Sequence, residues 1–198
     1  MAKRRKVSNP LALAVLAELM AEPMHPYEMG RRLKEHAKDR NIKYNRGSLY
    51  MVVEQLRKAG FVSEQETVRD TQRPERTVYA LTAEGRAELF DWMRELVAEP
   101  QHEYPAFGVS LSLIMVLPPA ESVELLEKRR AALTAQVAGI REAMRKATEE
   151  GVGWLFLIEE DYRVRGLETE IDFVGQLVTQ LQEPDFIRTW DEYFGRMQ

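Results

Sequence analysis

The 198 residues include no cysteine. This excludes disulfides, thiolate catalysis and cysteine-ligated zinc or iron–sulfur centres, and fits a reducing compartment, so a cytoplasmic location is expected. The sequence also lacks any apolar run near the ~18–20 residues that cross a bilayer, so no membrane partner is expected. The basic start, residues 1–6, looks like the first region of a secretion signal. The apolar stretch behind it, Leu11 to Met20, contains Glu18 and has no small-residue cleavage site, so it reads as the first helix of a folded domain. Histidine is scarce: His25, His36 and His102 have no second histidine or paired carboxylate at ligand spacing, and neither metal nor cofactor is expected. Gly151-Val-Gly153 has too few glycines, and no preceding strand, for a phosphate loop. With no nucleophile–base pair either, no catalytic residue is expected and the chain does not read as an enzyme.

What is present suits a soluble protein able to bury a core without staples: 44% hydrophobic and 30% charged residues. The charge is unevenly spread. Residues 1–97 carry 18 Lys+Arg against 14 Asp+Glu, a net of +4, whereas residues 98–198 carry 10 against 18, a net of −8. A basic first half points to an anionic partner, and an acidic second half to a protein or small-molecule role.

The first half shows a definite order of elements. Ser8-Asn9-Pro10 starts a helix predicted to run to about Ala21, and Pro26 opens a second, short one. Asn45 caps a third, whose Leu49, Val52, Val53 and Leu56 fall at i, i+3, i+4 and i+7 on one buried stripe. Gly60 ends it. Extended segments at 61–68 and 77–81, joined through the turn formers of 70–74, read as a β-hairpin. Thr82 caps a fourth helix predicted to turn Leu89, Trp92, Met93 and Leu96 inward. Three helices, a hairpin and a helix describe a winged helix-turn-helix.

The proline-flanked stretch 99–105 marks a boundary, and beyond it the pattern is helical throughout. After a short segment near 107–116, two long helices are predicted at about 120–148 and 154–181, turning at Gly151 and Gly153, with a last short helix at 186–194. Leu133, Val137, Ile140 and Met144 on the first, and Val164, Leu167, Ile171, Val174, Val178 and Leu181 on the second, recur in steps of three and four. The mean period of 3.5 is that of a coiled coil, so the expected fold is mainly α, with a coiled-coil-like region where two copies meet as a homodimer. The predicted domains are 1–97, a linker at 98–103, and 104–198.

Several residues of this order are placed for double-stranded DNA. The second helix of a helix-turn-helix presents its N-terminal residues to the major groove, and here those are Arg46, Ser48, Tyr50 and Met51. Lys43 precedes them, and Arg57 and Lys58 lie near the far end, in range of the backbone. Arg69, Arg73 and Arg76 surround the hairpin turn, and the arm Lys3-Arg4-Arg5-Lys6 adds a further basic segment. Each also has a plain reading: Tyr50 as a half-buried packing residue, Arg57 and Lys58 as a solvated face. Tyr104, Phe107, Trp154 and Phe173 are candidates to line an effector pocket, though aromatics at helical spacing more often build a core.

The stretches His25-Pro-Tyr-Glu-Met29, Gly47-Ser-Leu-Tyr50, Gln55-Leu-Arg-Lys-Ala-Gly-Phe-Val62 and Tyr79-Ala-Leu-Thr-Ala-Glu-Gly-Arg86 resemble the PadR family of bacterial regulators. The resemblance covers residues 8 to about 97. The helical remainder is similar in length and pattern to the long members with a virulence-activator-type C-terminal region. What this implies is a dimeric transcription regulator, commonly a repressor, in some members responsive to small aromatic or cationic molecules. The family's DNA-facing tyrosine falls on Tyr50, and the tyrosine of its second helix on Tyr27. Two positions depart from the pattern: Pro26 stands where glycine is frequent, and Met51 where proline is frequent, a change expected to soften the start of the third helix. The competing expectation is a protein-interaction module with a winged helix that does not bind DNA and a coiled-coil arm.

Overall fold

The computed structural model describes residues 5–68 and 76–194. It divides into two compact units, Met1–His102 and Glu103–Gln198. In the first, α1 (Pro10–Glu18), α2 (Pro26–Glu35), α3 (Arg46–Lys58), strands β1 (Val62–Val68) and β2 (Arg76–Leu81), and α4 (Ala83–Ala98) follow in chain order. In the second come α5 (Ala106–Ser112), the long α6 (Pro119–Glu149) and α7 (Ile158–Leu181), and α8 (Pro184–Tyr193). Among the described residues no helix is long and apolar enough to cross a membrane.

Polar caps fix the helix starts in the first unit. Asn9 accepts from the Leu11 amide at 2.9 Å with Pro10 in the first turn, and the His25 Nδ1 accepts from the Tyr27 amide at 3.1 Å ahead of Pro26. Each cap satisfies an amide the helix cannot, worth about 1 kcal/mol. The core draws Leu11, Val15 and Leu16 from α1, Met29 and Leu33 from α2, Leu89 and Trp92 from α4, and the whole predicted α3 stripe of Leu49, Val52, Val53 and Leu56. Gly60 closes α3 at φ +82°, a left-handed conformation that favours glycine.

The wing is antiparallel, pairing Val62 with Leu81 and Glu64 with Tyr79, with an irregularity between Gln65 and Val68. A single further pairing, Met24 with Tyr79, ties the segment before α2 to β2 through two hydrogen bonds of 3.0 and 3.1 Å. The helix-turn-helix and the root of the wing are therefore stitched together by backbone.

Three expectations for this first unit need correcting. On α4, Leu89 and Trp92 are buried, but Met93 and Leu96 are exposed, because burial against the core stops at Trp92 while the helix runs on to Ala98. Arg5 is not part of a free basic arm: its guanidinium is buried against Glu88 at 2.7 Å, Asp91 at 3.2 Å and Glu95, and lies 5.3 Å from the Trp92 ring. The loss of proline at position 51 does not soften α3. Met51 is the sixth residue of that helix, past the first turn where proline fits, and the helix is capped at both ends.

In the second unit α6 and α7 pack along each other as a helical hairpin. Leu133, Val137, Val164, Val174, Val178 and Leu181 are buried, and Ile140, Met144, Leu167 and Ile171 are half-buried, so much of the 3.5-residue seam is covered within one chain. Phe107, Ile114 and Phe186 pack against Leu126, Val174, Val178 and Leu181, and the Trp190 indole donates to the Met115 carbonyl at 2.9 Å. The second long helix begins at Ile158 rather than Trp154: residues Trp154–Leu157 form a separate 3-10 turn.

Candidate nucleic-acid interface

The start of α3 is shaped by a reciprocal cap. The Asn45 Oδ1 accepts from the Ser48 amide at 2.8 Å, while the Ser48 Oγ accepts from the Asn45 amide at 2.8 Å and donates to the Asn45 carbonyl at 2.9 Å. This is the capping-box arrangement with serine in the third position. Position in the helix alone would turn the Ser48 hydroxyl outward; the cap instead takes both its proton and its acceptor role.

Around this start lies a concavity of about 540 Å³ between α2 and α3, lined in part by Tyr27, Arg31, Lys34, Tyr44, Arg46 and Tyr50. Tyr27 is 60% exposed on its α2 side. Tyr50 is half-buried, edge-on to the His25 ring with centroids 6.0 Å apart, and the Arg46 guanidinium sits 5.7 Å above it. Burial pushes the Tyr44 phenol above its usual value, with Asp39 adding to the effect; its hydroxyl donates to the Gly30 carbonyl at 3.4 Å. Three cations, Arg31, Lys34 and Arg46, and three tyrosines therefore line one open hollow beside a helix start, with Arg31 also paired to Glu28 and Glu35, a setting that suits an anion.

The other predicted contacts divide. Lys43 is exposed in the loop before α3. Arg57 is held by Glu54 through two bonds of 2.7 Å and lies 3.4 Å from Glu64, and Lys58 is 3.6 Å from Glu54. The Arg57 hydrogen bond, ahead of the attraction of Arg57 and Lys58, holds the Glu54 carboxyl below its usual range. Arg69 and Arg73 lie outside the described residues, as does the Arg76 side chain, although Arg76 opens β2. The α2–α3 hollow is not legible as a unit in the sequence: Lys34 and Tyr44 carry no motif, and their role emerges only where the two helices meet.

In the second unit, Phe107 lies under the Arg129 guanidinium at 3.7 Å, and Arg129 also pairs with Glu170. Tyr104, Trp154 and Phe173 are exposed.

Three helices, a paired wing and a fourth helix, with an open helix-3 start beside a cationic hollow, define a winged helix-turn-helix protein. Residues 13–91 match the Transcriptional regulator PadR-like family. Comparison with curated protein sequences finds no match. Among solved structures, Bacillus subtilis PadR in complex with operator DNA is 16% identical with a TM-score of 0.71, covering 88% of this chain and 100% of that one. The same B. subtilis protein in complex with p-coumaric acid is 15% identical with a TM-score of 0.70, covering 87% and 99%. The Vibrio cholerae virulence activator AphA is 15% identical with a TM-score of 0.65, covering 86% and 97%. At these identities the likeness is one of fold.

Proposed function

We propose that the chain is a sequence-specific regulator that binds double-stranded DNA through α3 and its wing, as a homodimer on a palindromic operator in the cytoplasm, and that it acts as a repressor. The observation that carries this reading is the open start of α3 beside the hollow of Tyr27, Lys34, Arg46 and Tyr50. An α-helix fits the major groove, and the surrounding cations and amides would take the flanking phosphates. Lys43, and the wing arginines Arg69, Arg73 and Arg76, extend the same role to neighbouring backbone. The complex of B. subtilis PadR with operator DNA supports it by analogy of fold.

A dimer built on the helical second unit would hold two heads with half-site centres about one turn apart, ~34–36 Å, or a multiple of that. Occupancy would then block transcription sterically. A small aromatic molecule is the effector class that the B. subtilis complex with p-coumaric acid favours, with Tyr104, Phe107, Trp154 and Phe173 as the residues to test.

The experiment is titration of the full chain with duplexes selected from its own genome, at several salt concentrations. Expected are a steep fall of log K with log salt and loss of tight binding when ~5 base pairs, half a turn, are inserted between half-sites. Binding that ignores salt, or no duplex selected at all, leaves the protein-interaction module as the reading to pursue.

A further inference from the structure

The outward row of α3 has an unusual make-up for a helix taken to lie in a groove. Gly47, Met51 and Gln55 follow at intervals of four, so they stand one above another on one face, and all three are exposed. Met51 is 55% exposed, in a helix whose other large apolar residues, Leu49, Val52, Val53 and Leu56, are in the core. The polar groups beside this row are already engaged. Ser48 serves the cap, Arg57 is held by Glu54, and Arg46 lies over the Tyr50 ring. Gly47 leaves the first turn bare, so another surface can come close to the backbone there. The row therefore offers, in order, no side chain, a thioether with its methyl, and a carboxamide; Lys58, three residues beyond Gln55, stands at the end of the helix.

Base edges in the major groove differ in what they accept from such a row. Thymine presents an apolar C5-methyl group, adenine an acceptor at N7 beside a donor at N6 that a carboxamide matches bidentately, and guanine two acceptors that call for arginine or lysine. Resting on the DNA-binding reading above, we propose that α3 reads an A·T-rich half-site, with Met51 packed on a thymine methyl and Gln55 hydrogen-bonded to an adenine beside it. Met51 and Gln55 are then the specificity-determining pair, while Arg46 and Lys43 hold phosphates and carry little sequence information.

The test starts by selecting duplexes from a random-sequence pool with the full chain. Enrichment of A·T pairs at the centre of each half-site is expected. In the best duplex, uracil in place of the contacted thymine removes only the methyl, and affinity should fall about fourfold, the worth of one buried methyl group. Met51→Ala should bind the thymine and uracil duplexes alike, with an unchanged salt slope showing that the head is folded and its phosphate contacts intact. Half-sites centred on G·C pairs, a harmless uracil in the wild type, or a Met51→Ala protein still sensitive to uracil would each overturn the pairing while leaving DNA binding in place. A pool from which nothing is enriched at low salt would remove the DNA-binding reading itself, and this inference with it.

Discussion

The two halves of this chain solve the problem of burial differently. In the first unit, four helices and the wing root converge on one cluster in which Ala12, Val15, Leu16, Met29, Val52 and Leu56 have no measurable exposure. In the second, among the described residues, Val174 alone of the buried hydrophobics reaches that state; the buried cluster is the narrow seam of a helical hairpin, and Trp154, Phe156 and Tyr162 stand more than two-thirds exposed near its turn. A globular head covers its apolar surface by folding back on itself in several directions. A hairpin has only one inner face, and whatever apolar side chains fall elsewhere remain for another surface to cover. Exposed aromatic area of this kind is what interaction sites are made of. Such exposure is concentrated near the turn of the second unit, whereas in the head it falls mainly on the far end of α4, at Phe90, Met93, Leu96 and Val97.

The largest test of this contrast is separation. A fragment ending at His102 contains the whole first core and should fold. Its affinity for duplex DNA should drop from the specific range of roughly 10⁻⁸–10⁻¹¹ M to the non-specific range of roughly 10⁻⁴–10⁻⁶ M, while its half-site preference survives. A fragment binding as tightly as the full chain would remove the second unit from recognition. Next in size is Val174→Asp. A charge in that seam should cost about 3–5 kcal/mol and unfold the second unit, and hydrogen exchange should find the head still protected. Simultaneous loss of protection in both units would show that they fold as one.

Smaller effects sharpen the head alone. Asn45→Ala removes the acceptor for the Ser48 amide and should lower stability by about 1 kcal/mol, with exchange quickened at residues 46–48 and nowhere in the second unit. Glu54→Gln should lower stability slightly at neutral pH but should tighten DNA binding, because it loosens the hold on Arg57 and Lys58; the salt slope should steepen by about 1 for each phosphate that either residue then neutralises. It also has a pH signature. The carboxyl of Glu54 is held below its usual range when folded, so its contribution is complete above the ordinary carboxylate pKa and is lost as pH falls through the depressed folded value. The variant should lack that part of the acid-side decline in thermal stability.

The head was legible in the sequence where local rules and the core agree. Asn45, the stripe from Leu49 to Leu56 and Gly60 each dictate α3 independently, and all three act in the structure. What could not be read was carried by distance or by choice. The Arg5 cluster joins residues 83 to 90 positions apart, and nothing near Arg5 announces its partners. The Met24–Tyr79 bridge is one residue pair long, too short to leave a period. Ser48 at the third helical position suits either a cap or a base edge, and only geometry decides. Met93 and Leu96 continue the apolar rhythm of α4 beyond the core it packs on, because periodicity reports the face of a helix and not the length of its support. The split before Ile158 was hidden for a related reason: Trp154 to Ile158 is apolar at every position, so no face changes where the 3-10 turn gives way to the helix.

The joint between the wing and α4 has a mechanical meaning. A methyl group on Gly85 would lie 2.0 Å from the Phe61 carbonyl oxygen, so the first turn of α4 rests directly on the backbone that leads into β1. The Thr82 hydroxyl donates to the Gly60 carbonyl at 2.8 Å, and its amide to the Phe61 carbonyl at 3.1 Å, pinning the same spot twice more. There is no slack in such a bearing. Since α4 is also the helix by which the chain leaves the head, the exit from the head starts from the same backbone that carries the wing.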